Sequence, residues 1–122
     1  MKRPGLTEAM EYWLRMVARG RASNVSQKVI NKLIEAGLID RDENITPRGQ
    51  AALAAPRVTA AEYEGLCEAE KGWTPTPARM RNRLHSLGWV VGLGIYASHL
   101  TPAGTTALNN IRAASGSPEW KP

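Results

Sequence analysis

The strongest constraint on this chain is that much of it is written twice. Thr7, Ala9, Leu14 and Gly20 recur in order as Thr59, Ala61, Leu66 and Gly72. Asn31, Leu33 and Gly37 return as Asn82, Leu84 and Gly88, and Thr46-Pro47, Gly49, Ala52 and Leu53 return as Thr101-Pro102, Gly104, Ala107 and Leu108. A repeat of about 50 residues means that one supersecondary unit is built twice in succession. The reading places a first unit at 1–56, a second at 57–114 and a polar C-terminal tail at 115–122, with Trp120 as the tail's candidate anchor.

Both copies parse alike. Thr7 is placed to cap a helix whose Met10, Trp13, Leu14 and Val17 recur at helical spacing until Gly20. Ser23 or Asn24 caps a second helix, with Val29, Leu33 and Ala36 on one face and Ile30 and Ile34 widening it, ended by Gly37. Leu38 to Arg41 reads as a strand, Asp42 to Asn44 as a turn and Ile45 as the return strand. Thr46-Pro47 opens a third helix, with proline at the first helical position where its missing N–H costs nothing, and Pro56 closes it. The second copy repeats the order: a helix from Thr59 to Lys71, another from Thr76-Pro77 to Leu87, a hairpin from Gly88 to Leu100, then a helix from Thr101-Pro102 to Ala114. The expected class is mostly α with short β-hairpins.

Helix, turn, helix, hairpin and then Thr-Pro-x-Gly resembles the second half of a winged helix-turn-helix unit, as in MarR-like and PadR-like regulators. The residues are Leu33 to Ile39 with Ile45-Thr46-Pro47-Arg48-Gly49 in one copy, and Leu84 to Val90 with Leu100-Thr101-Pro102-Ala103-Gly104 in the other. The resemblance implies tandem winged helix-turn-helix-like units forming one compact pseudo-dimer. It also implies transcription regulation through double-stranded DNA, with two recognition helices reading half-sites about one helical turn, ~34 Å, apart.

The second helix of each copy supplies the candidate contacts. From Thr76 to Leu87, Met80, Leu84 and Leu87 form the expected buried stripe; Arg79, Asn82 and Ser86 lie opposite, with Arg81 and Arg83 flanking. Arginine can pair bidentately with guanine and asparagine with adenine. In the first copy Gln27, Lys28, Asn31 and Glu35 point outward, with Lys32 at the flank; Asn31 and Asn82 hold equivalent places. Net charge +5 favours an anionic partner. Lys2, Arg3 and Arg21, beside Arg15 and Arg19, fit phosphate contacts. Glu62, Glu64, Glu68 and Glu70 are expected on a surface turned away from nucleic acid. Most aromatic residues are assigned to core packing, and Trp73, before Thr74-Pro75, to stapling a helix entry.

Other classes find little footing. The single Cys67 cannot form an internal disulfide, which fits a reducing cytoplasm, and with His85 and His99 it gives no metal-ligand spacing. No nucleophile–base arrangement or nucleotide-cradling loop marks an enzyme, and no cofactor is implied. No apolar run reaches membrane-spanning length. The rival reading is a protein-binding adaptor or inhibitor that engages a larger complex. It is favoured by an acidic first hairpin (Asp40, Asp42, Glu43), an apolar helix 24–36 and an apolar second turn, Gly92-Leu93-Gly94, with Tyr96 nearby. Oligomerisation beyond the internal pair stays open.

Overall fold

The computed structural model describes residues 4–92 and 98–122. Among the described residues the chain is mostly helical with a small antiparallel hairpin: α1 (Glu8–Ala18), α2 (Gln27–Glu35), α3 (Pro47–Ala54), α4 (Ala60–Glu70), α5 (Ala78–Ser86), β1 (Val90–Gly92), β2 (Ser98–Leu100) and α6 (Pro102–Ala114). It divides into two compact units. One holds Gly5–Ala55 together with Asn110–Pro122, and the other holds Pro56–Asn109. The unit boundary therefore falls inside α6, and the last residues group with the first segment rather than standing as a separate tail.

In the unit carrying α1 to α3, Leu14, Val17, Val25, Ile30, Leu33, Leu38, Ile39 and Ala52 form a continuous core, which Ala113 and Ala114 complete. Arg48 of α3 secures the C-terminal segment: its Nε–H donates to the Ala113 carbonyl at 3.2 Å and its Nη2 to the Ser117 carbonyl at 2.9 Å. Its guanidinium also lies 5.3 Å from the centre of the Trp120 ring. A cation at the carbonyl end of a helix meets the negative pole of the backbone dipole, so one side chain both caps α6 and docks Trp120.

The hydrogen bonds explain why the repeated residues recur. After α2, Gly37 has φ 75° and Leu38 N–H reaches back to the Leu33 carbonyl at 3.0 Å; after α5, Gly88 has φ 77° and Trp89 N–H reaches the Leu84 carbonyl at 3.1 Å. Such a left-handed helix stop disfavours a side chain. The threonine that follows each turn acts twice. Thr46 Oγ1 donates to the Gly37 carbonyl at 2.6 Å and accepts from Gly49 N–H at 3.0 Å, while Thr101 Oγ1 repeats both bonds with Gly88 and Gly104 at the same lengths. A Cβ on Gly49 would drive into the Leu38 carbonyl oxygen, and one on Gly104 into that of Trp89. Thr-Pro-x-Gly is thus a helix start that must seat directly on the preceding turn.

Local expectations need several corrections. Ser26, not Ser23 or Asn24, caps α2, its Oγ accepting from Val29 N–H at 3.4 Å; residues Ala22–Asn24 form a 3-10 turn that leads into buried Val25. The buried stripe of α2 runs through Ile30 and Leu33, and Ala36 is exposed at the C-cap. The first hairpin shrinks to a single bridge, Ile39 with Ile45, at the place equivalent to the Val90–Leu100 pair of β1 and β2. There the Asp40 carboxylate accepts from Asp42 and Asn44 N–H, both at 2.9 Å, competing with a strand ladder. Pro77 is the N-cap of α5, with no side-chain capping bond, so that helix starts one residue later than proline at the first helical position would require. Leu87, its C-cap, is exposed rather than buried. The Trp73 side chain is not buried at the helix entry: it is 60% exposed, with the Lys71 ammonium 5.3 Å from its ring centre, while Pro75 fills the core. Tyr12 is exposed as well, edge-on to Trp13. Leu93, Gly94 and Tyr96 lie outside the described residues.

Candidate nucleic-acid interface

α5 is mounted through one apolar anchor and one close approach. Leu84 is fully buried, and Met80 is half-buried beside it. Opposite them α4 carries Gly65, where a Cβ would lie 2.8 Å from Leu84 Cδ1 and 3.2 Å from Met80 Cγ. The missing side chain lets the two helices pack closely. With that face buried, helical geometry sends Arg79, Asn82, Arg83 and Ser86 outward; all four are exposed, and Arg81 is half-buried at the flank. α5 carries no carboxylate.

Arg83 is held. Its Nε–H donates to Glu62 Oε2 at 2.9 Å, with the carboxylate end 7% exposed and the arginine side chain 61% exposed. Glu62 closes a capping box at the start of α4: its Oε1 accepts from Thr59 N–H at 3.0 Å, and its own N–H donates to Thr59 Oγ1 at 3.1 Å. Burial alone would raise the Glu62 pKa. The backbone bond from Thr59, the bond from Arg83, the Thr59 hydroxyl and the arginine charge together outweigh it and hold the carboxyl below its ordinary value. This departs from the expectation that Glu62, with the other three glutamates, sits on a surface turned away from nucleic acid. It is buried and ties α4 to α5, and Arg83 is a bracing residue as well as an exposed cation.

Beside α5 an open cleft of about 390 Å³ is lined by Arg81, Asn82, His85, Ser86 and Gly92. Gly92 N–H donates to His85 Nε2 at 3.2 Å, joining β1 to the helix, and Ser86 Oγ–H donates to the Asn82 carbonyl at 2.9 Å. Sequence reasoning missed His85 and Gly92. Helical spacing was a usable signal for His85, four residues after Arg81 and on the same face; Gly92 is brought in only by the hairpin.

The first-copy candidates form a separate set, in the other compact unit. Gln27, Lys28, Asn31, Lys32 and Glu35 are all exposed on α2, as expected. Gln27 Nε2 donates to Asn31 Oδ1 at 2.9 Å, occupying part of the amide that would read a base. Arg21 is exposed just before the 3-10 turn, whereas Lys2 and Arg3 lie outside the described residues. Among the described residues no cluster of His, Cys, Asp and Glu is placed to hold a metal ion, and no helix is long and apolar enough to cross a membrane. Comparison with models of known protein families, with curated proteins and with solved structures finds no match.

Proposed function

We propose that this chain is a non-enzymatic double-stranded DNA-binding protein, a small transcriptional regulator whose two units are winged helix-turn-helix-like and whose α5 is the leading recognition helix. The carrying observation is the outer face of α5: Arg79, Asn82 and Arg83 exposed, Arg81 at the flank and no carboxylate on the helix. A helix presents such a face to a major groove, where arginine and asparagine discriminate bases. α4, the turn after it and α5 supply the helix-turn-helix, and β1 with β2 supplies the wing. α2 is the secondary reader, since Asn31 already shares its amide with Gln27 and Glu35 sits on the same exposed surface.

The test is binding to random-sequence duplex DNA at increasing salt, with Arg79→Ala alongside the native chain. Affinity should fall steeply with salt, by a slope of about 0.9 for each phosphate neutralised. Arg79→Ala should weaken binding while the fold persists, because Arg79 is exposed and makes no ion pair among the described residues. No binding at low salt overturns the proposal. A second reading, a protein-binding adaptor, draws on Asp40, Asp42 and Glu43, all exposed on the turn that follows α2. Those carboxylates repel phosphate and suit a basic protein surface. That reading gains if duplex fails to bind.

A further inference from the structure

The cleft between α5 and β1 is built differently from the rest of the helix face. Arg81 is half-buried, yet its guanidinium has no hydrogen bond or ion pair among the described residues. A half-buried cation with no partner at the wall of an open cleft keeps its donors available to an anion. The Asn82 amide lines the same cleft, also without a side-chain hydrogen bond among the described residues. The third donor follows from the hairpin. Because Gly92 N–H donates to His85 Nε2, that nitrogen is the acceptor, which leaves Nδ1 to carry the ring's N–H. Ser86 is different, for its hydroxyl proton is committed to the Asn82 carbonyl. Among the described residues no carboxylate lines the cleft.

We infer that this cleft seats one phosphate group of a nucleic-acid strand. Arg81 supplies the charge and a planar pair of donors, the Asn82 amide and the His85 Nδ1–H complete the set, and the His85–Gly92 bond holds the hairpin as the far wall. A guanidinium fork matches phosphate oxygens two at a time. The inference rests on the DNA-binding reading and refines it with a division of labour along α5: Arg79 and Arg83 face the bases, while Arg81 and Asn82 are reassigned to the backbone beside them.

The experiment pairs the native chain with Arg81→Gln and Arg81→Lys, with intact folding read from the Leu84 methyl resonances. Binding to random-sequence duplex is measured across a salt series, and inorganic phosphate is titrated separately while the Asn82 side-chain amide and Gly92 N–H signals are followed. In Arg81→Gln the slope of log affinity against log salt should become shallower by about 0.9. Arg81→Lys should restore the slope but not the full affinity, since it keeps the charge and loses the fork. Phosphate should move the two signals in the native chain and not in Arg81→Gln. Duplex binding with an unchanged slope in Arg81→Gln overturns the cleft assignment and leaves the DNA-binding reading standing. Signals that respond to free phosphate in a chain that binds no duplex overturn the strand as the source, and the DNA-binding reading with it.

Discussion

Replacing Glu62 by glutamine tests the brace behind the proposed recognition helix. Gln is nearly isosteric and keeps one carbonyl oxygen for Thr59 N–H, but it puts an amide NH2 where Oε2 accepts from Arg83 Nε–H at 2.9 Å, so it removes both the charge and that bond. Because the Arg83 side chain is 61% exposed, solvent screens the pair, and the ionic part is worth no more than about 0.5–1 kcal/mol. The lost Arg83 hydrogen bond adds about 0.5 kcal/mol, the lower end for a net hydrogen bond, because the exposed guanidinium can turn to water instead. Glu62→Gln should therefore destabilise the chain by roughly 1–1.5 kcal/mol at neutral pH, read by urea denaturation. The pH dependence has a fixed sign. The Glu62 pKa is lower in the folded chain than in the unfolded one, so its stabilisation is fully present above the unfolded value of about 4.3 and is lost as pH falls through the folded value. The gap between native chain and variant should hold from pH 7 to about pH 5 and close below pH 4. A variant as stable as the native chain at pH 7, or a gap that persists in acid, would refute the brace.

Two further substitutions probe the framework. Gly49→Ala and Gly104→Ala each push a Cβ into a carbonyl oxygen of the preceding turn, and each should cost about 2 kcal/mol or more in thermal or chemical denaturation, as overpacked sites do; tolerance at either would mean the helix start does not seat as described. Arg48→Ala removes two hydrogen bonds to carbonyls and the contact with Trp120, and should cost about 1–3 kcal/mol with a change in tryptophan fluorescence; an unaltered Trp120 signal would count against its docking.

What could be read from the sequence was whatever a short stretch of chain decides by itself. Thr7 and Thr59 cap α1 and α4, Gly37 and Gly88 stop α2 and α5, and Thr46 and Thr101 seat the next helix. The caps and stops depend on neighbours a few residues away, and the Thr46–Gly37 and Thr101–Gly88 bonds span 9 and 13 residues across a single turn, so spacing carries them. The Thr59-x-x-Glu62 pattern was equally local and marked a capping box, but counting Glu62 among four glutamates hid it. Its bond to Arg83 could not be read, since it depends on how α4 meets α5. The same holds for Arg48 with the C-terminal segment and for Gly92 in the cleft wall. The first hairpin was overestimated because Asp40 can serve its own turn, a competition that strand propensity does not register.

The most direct test of DNA binding through α5 is a titration of the isotopically labelled chain with random-sequence duplex at low salt, following every backbone amide. The account predicts that the largest shifts fall from Arg79 to Ser86 and at Gly92, with smaller ones from Gln27 to Lys32. Shifts confined to the Asp40–Asn44 turn and the exposed Tyr12 and Trp73, or no shifts at all, would contradict it.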